Sequence, residues 1–133
     1  MKLKSRKLTG GQAAVKSLKK EQVKHVFGLI GSATMEMFDA LYHEKQIKFI
    51  DVRDERTGTH MADGYARASN QPGVIIAGQN GPGATNLVTG LAQAKAAFSP
   101  VISFAGLYST KDFRKLESVV LRLDKQFFLD FKL

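Results

Sequence analysis

Three short stretches of this chain carry residue types that could do chemistry. The first holds Glu55, which follows the apolar run Ile47–Val52 where a strand would end and a helix begin. A carboxylate in the first turn of a helix is favoured by the helix dipole, so ordinary capping is one reading. The other is a carboxyl buried at a ligand crevice, where it shares a proton with a ligand nitrogen. The second stretch is Gly78-Gln79-Asn80-Gly81-Pro82-Gly83-Ala84-Thr85-Asn86, between an apolar strand and a helix. Glycines let main chain come close to a ligand, and free amides at a helix start suit an anion or a polar ring. The spacing is not that of a dinucleotide fingerprint, and the Gly-Lys-Ser/Thr of a Walker loop is missing. A tight structural turn and a binding loop both fit it. The third stretch is Ile30-Gly31-Ser32, just beyond Gly28.

Other chemistries find little support. His25, His43 and His60 are isolated from one another and from any paired carboxylates, so no metal site made by this chain alone is expected. Ser32 has no evident base partner, which argues against a hydrolase. The chain has no cysteine, which excludes disulfides, thiolate metal sites and thiol nucleophiles and fits a cytoplasmic setting. Met35, Met37 and Phe38 read as core packing.

The formal net charge is +8, but its distribution argues against nucleic acid. Residues 1–24 hold eight Lys or Arg against Glu21, and the remaining residues are nearly balanced. The excess belongs to a basic arm and the outer face of one helix, with no aromatic side chains interleaved for base stacking. No apolar run reaches the ~18 residues of a membrane span, and the basic start has no apolar segment of a secretory signal. No membrane partner is expected either. At 133 residues the length suits one domain.

The elements around the three stretches alternate. Thr9 caps a predicted helix to about Gln22, and Val23–Leu29 reads as a strand. Ser32 or Thr34 caps a second helix, with Met35, Phe38, Leu41 and Tyr42 at helical spacing. Ile47–Val52 is the next strand, and a helix follows from Asp54 to about Ser69. Val74–Ala77 is nearly all apolar, as strands buried on both faces are. A helix over Ala84–Ala97 and a strand over Pro100–Ala105 complete the pattern. This rhythm predicts an α/β, mainly parallel, flavodoxin-like sheet flanked by helices. Ligands of such sheets gather beyond the carboxyl ends of the strands, where all three stretches should converge. The expected organisation is a basic arm over 1–8, the α/β domain over 9–106 and a divergent tail over 107–133, with a possible helix from about Lys111 to Phe128.

Taken together, five segments carry a resemblance. They are Val23-Lys-His-Val-Phe-Gly28, Val52-Arg-Asp-Glu55, His60-Met-Ala-Asp-Gly-Tyr-Ala-Arg67, Pro72-Gly-Val74 and Gly78 to Asn86. In order and separation they resemble the pyrimidine-binding domain of thiamine diphosphate-dependent enzymes of the acetolactate synthase type, over about residues 9–105. The Gly78–Gly83 wording looks most like the sulfoacetaldehyde acetyltransferase-like branch.

The resemblance implies that this chain holds the aminopyrimidine half of thiamine diphosphate. Glu55 matches the family glutamate that hydrogen-bonds the ring and promotes the imino form that activates the cofactor. Ile30 and Gly31 fall where the first loop lines the ring, with Ile-Gly in place of the usual Pro-Gly. Pro82 and Asn86 match positions approaching the cofactor, and Gln79 and Asn80 face the reacting centre. His60–Arg67 serves helix packing and subunit contact. Asp54 stands where the family often has His.

The diphosphate and its Mg2+ are held, in the family, by a separate domain that this sequence lacks. The implied reaction is an acyl or aldehyde transfer or a lyase step on a small 2-oxo acid or aldehyde. The expected partner is a second copy or a separate diphosphate-binding subunit. The leading expectation for the short chain is a truncated product, inactive alone. A small subunit of a two-chain decarboxylase and a non-catalytic interaction module are the alternatives.

Overall fold

The computed structural model describes residues 8–106, so the expected tail helix lies outside the described residues. Helix α1 (Gly10–Lys20) starts where Thr9 closes a capping box with Gln12: the Gln12 amide donates to Thr9 Oγ1 at 3.2 Å, and the Thr9 amide donates to Gln12 Oε1 at 3.3 Å. It ends just short of Gln22, which sits at φ 60°. Strand β1 (His25–Gly28) leads through a short 3-10 turn (Ser32–Thr34) into α2 (Met35–His43). Strand β2 (Lys48–Asp51), α3 (Glu55–Ser69), β3 (Gly73–Ile76), α4 (Pro82–Ala96) and β4 (Val101–Phe104) follow in strict alternation.

All pairings are parallel and the sheet order is β2-β1-β3-β4. Alternation along each strand feeds two cores, one on either face. Val26, Val74 and Ile76 meet Val15 and Leu18 of α1 and Met37, Phe38 and Leu41 of α2. On the opposite face Phe27, Ile75 and Ala77 meet Ala62 of α3 and Leu87, Leu91 and Ala94 of α4. Every residue of β3 is buried, as its apolar run predicts for a central parallel strand. The flavodoxin-like expectation therefore holds for the described residues.

The differences are local. The strands are shorter than the apolar runs, and α4 begins at Pro82 rather than Ala84 because proline suits the first helical position, where no amide hydrogen is needed. Neither Ser32 nor Thr34 caps α2 through its side chain. Thr34 instead spends its hydroxyl across the sheet, donating to the Ala77 carbonyl at 2.8 Å. Met35 and Tyr42 share helical spacing with the core residues but point outward, 51% and 77% exposed, so the packing role falls to Met37, Phe38 and Leu41.

Candidate functional site

The chain reverses direction of winding at β1: β2 is laid down on one side of it and β3 on the other. The carboxyl ends of β1 and β3 therefore flank the switch point, where open α/β sheets bind ligands. The loop after β1 and the loop after β3 approach there backbone to backbone. A Cβ at Gly31 would run into the Gly78 carbonyl, and one at Gly78 would run into the Leu29 carbonyl. Only residues without side chains permit this approach. Ser32 Oγ donates to Gln79 Oε1 at 2.9 Å, tying the two loops on their outer side. The Thr34 bond to Ala77 ties them beneath.

Glu55 enters this junction from the start of α3. It is 4% exposed. Its Oε1 accepts from the Gly78 amide at 3.2 Å, and its Oε2 accepts from Asn86 Nδ2 at 3.2 Å. Capping of α3 is done by the neighbour. Asp54 Oδ1 accepts from the Arg56 amide at 2.8 Å and the Thr57 amide at 3.4 Å. The two adjacent carboxyls thus divide the roles, one spent on the helix end and one turned inward, so capping does not account for Glu55. No ion pair involves Glu55 among the described residues. It is a buried carboxyl held by two neutral donors.

The β3–α4 loop brings the other candidates to the same place. Gly81 takes φ 63°, a left-handed value that turns the chain into α4, and Pro82 follows at the first helical position. Gly83 faces Glu55, with room for a hydrogen but not for a methyl: a Cβ there would stand 2.9 Å from Oε1. Asn86 lies one turn on, half-buried, and Asn80 is half-buried at the loop. Gln79 and Pro82 are exposed, and Ile30 is 56% exposed at the rim. Gly31, Glu55, Gln79 and Asn86 are linked by the contacts above. Ile30, Asn80 and Pro82 are placed by their loops, with no side-chain hydrogen bond recorded to that cluster.

A second polar cluster lies in the α3–α4 interface. Asp63, 1% exposed, accepts from Arg67 Nε at 3.0 Å and Nη2 at 2.6 Å, and from Gln93 Nε2 at 2.8 Å. Arg67 Nε also reaches Ser99 Oγ at 3.2 Å. The Arg67 guanidinium, with smaller help from Ser99 and Gln93, outweighs burial and holds the Asp63 carboxyl down at about 2. This network pins α3 to α4 and to the turn before β4, so it supports Glu55 and Asn86 from behind. The packing role expected for His60–Arg67 agrees with it.

Sequence reasoning missed the roles of Ser32 and Thr34 as cross-loop ties, because their partners lie 47 and 43 residues away. It also did not single out Asp63 and Gln93. An Asp and Arg four apart on one helix was the available signal. Among the described residues, no group of three or more His, Cys, Asp or Glu gathers to hold an ion, and no helix is long and apolar enough to cross a membrane. Two open grooves of about 470 and 620 Å³ lie away from this junction, around α1, α2 and the β2 edge, and share only Ile30 with it.

The chain matches the profile of the thiamine pyrophosphate enzyme N-terminal TPP-binding domain over residues 8–126. It is 45% identical over 104 residues to the probable acetolactate synthase large subunit of Methanococcus aeolicus, covering 78% of this chain and 17% of that protein. A like-named protein of Methanocaldococcus jannaschii is 46% identical over 104 residues, with 78% and 17% covered. The mitochondrial acetolactate synthase catalytic subunit of Saccharomyces cerevisiae is 41% identical over 103 residues, with 77% and 15% covered. The chain thus spans about one-sixth of the length of these relatives. It belongs to the thiamine pyrophosphate enzymes, in the family of their N-terminal TPP-binding domain.

Proposed function

We propose that the β1/β3 junction holds the aminopyrimidine ring of thiamine diphosphate, with Glu55 as the carboxyl that meets a ring nitrogen. One observation carries this reading: Glu55 is buried without a cationic partner among the described residues, at a switch point whose walls are backbone and glycine. A flat, polar ring suits such a place, since the loop backbone and the carboxyl offer polar contacts to its edge. Both recorded partners of Glu55 are donors. A proton on this carboxyl would therefore be passed to an acceptor brought by the ligand. Gly31 and Gly78 set the distance between the loops, Ser32 and Gln79 hold the rim, Ile30, Asn80 and Pro82 complete the lining, and Asn86 joins the site through its bond to Glu55.

When bound, thiamine diphosphate supplies a nucleophilic carbon for reactions at carbonyl groups. The part of this chain is to bind and orient the ring and to hold a proton at Glu55. On the same reading residues 9–106 form the domain, 1–8 a basic arm and 107–133 a distinct tail. The diphosphate with Mg2+ is held by a separate domain from a second copy or another subunit. The assembled protein is an acyl or aldehyde transferase or lyase acting on a 2-oxo acid or aldehyde in the cytoplasm. Acetolactate synthase-like chemistry is the nearest choice from the relatives' names. The Gly78–Gly83 stretch keeps the sulfoacetaldehyde acetyltransferase-like branch as a finer alternative.

The test is a titration of the 15N-labelled chain with thiamine. Amide shifts should centre on Gly31, Glu55, Gly78 and Gly83, and Glu55→Gln should weaken binding about tenfold or more, as loss of a charge-capable hydrogen bond does. Shifts centred on the α1–α2 grooves, or equal affinity in Glu55→Gln, would overturn the assignment.

A further inference from the structure

We infer that Asn86 is a positioning residue for Glu55, acting through that carboxyl rather than by touching the ligand. The inference rests on the pyrimidine-site reading above and adds a division of labour within it. Asn86 comes one turn after Gly83, so the two lie on one face of α4. That face meets the first residue of α3. Gly83 leaves the space that Oε1 occupies, and Asn86 reaches Oε2 with Nδ2 at 3.2 Å. The amide orientation follows from its partner: turned over, the Asn86 carbonyl oxygen would face a carboxylate oxygen.

The two donors bind different oxygens and therefore fix the carboxyl plane. The Gly78 amide holds one oxygen. The bond from Asn86 holds the second and narrows the swing of the carboxyl about its last bond. Asparagine is a poor helix-interior residue, because its side chain competes for backbone groups. At this position its amide is spent on another helix. Asn86 is only half-buried while Glu55 is 4% exposed, which puts the polar contact on the inner side of α4. Asn86 thus aims Glu55, and its removal should change what Glu55 does more than how the chain folds.

Two measurements on the full 133-residue chain decide this. In the ligand-free protein, 13C relaxation at Glu55 Cγ should show a rigid side chain in the parent and a mobile one in Asn86→Ala, with the Gly78 amide resonance shifted as its bond to Oε1 loosens. Unchanged Glu55 order in Asn86→Ala overturns the inference whether or not any ligand binds. Asn86→Leu, which fills the same space without a donor, serves if alanine impairs folding. The second measurement is a double-mutant cycle on thiamine affinity. Asn86→Ala should cost about tenfold in the parent but less than about twofold when Glu55→Gln is already present. Equal losses in both backgrounds would mean that Asn86 contacts the ligand itself. Absence of thiamine binding by the parent would count against the functional reading, and the relaxation result would still decide the role of Asn86.

Discussion

Replacing Asp63 with asparagine should destabilise the chain by about 1–2 kcal/mol at neutral pH, and that penalty should shrink in acid. The carboxyl is 1% exposed and accepts from both faces of its site, from Arg67 at 2.6 and 3.0 Å and from Gln93 at 2.8 Å. Asparagine keeps the shape but offers one acceptor oxygen, and its own NH2 must then face a donor from Arg67 or Gln93. The Arg67 guanidinium moves the carboxyl from the usual 3.8 to about 2. At 1.36 kcal/mol for each tenfold change in proton affinity, that is worth at most about 2.5 kcal/mol. The figure is reduced here because the Arg67 side chain is 49% exposed, so water screens the pair and resolvates the cation when its partner is lost. The folded-state value lies below the unfolded one, so this stabilisation is complete well above 3.8. It is lost as pH falls through about 2. Urea unfolding of parent and Asp63→Asn at about pH 7 and about pH 2 measures the difference at both ends. A gap as large at the acid end as at neutral pH, or no gap at neutral pH, would refute the view that an ionised Asp63 pins α3 to α4.

Two further outcomes follow from particular contacts. Thr9→Ala should cost about 1 kcal/mol in denaturant unfolding by removing the capping box of α1, whereas Thr9→Gly should cost only a few tenths. No loss in either variant would mean that the box contributes nothing to stability. Gly31→Ala forces a methyl against the Gly78 backbone, which cannot yield as a side-chain end would. It should cost about 1–3 kcal/mol and shift the Gly78 amide resonance, and a variant as stable as the parent would show that the two loops are not in close contact.

Most of the element order was legible in the chain because its signals are local. Thr9 at the start of α1 and the glycine-rich turn before α4 act within a few residues of themselves, and the apolar run into β3 reports burial directly. Glu55 was legible as a candidate but carried two readings, since any carboxylate at a helix start satisfies the dipole. Asp54 took the cap, and that choice depends on side-chain direction at two adjacent residues, which spacing does not encode.

The sequence by itself determined the α/β alternation, the parallel sheet and the family, because periodicity and the five ordered segments depend on local chain properties and residue identity. The tertiary structure alone decided which side chains meet. Gly31 against Gly78, Ser32 against Gln79, Thr34 against Ala77 and Asn86 against Glu55 join residues dozens of positions apart. Such contacts arise only when the strand order β2-β1-β3-β4 brings the loops after β1 and β3 to one edge. Packing of α2 against α1 and the sheet likewise turned Met35 and Tyr42 to solvent although their spacing placed them with the core. Helical spacing says which residues share a face, but only the neighbouring elements decide how wide the buried face is.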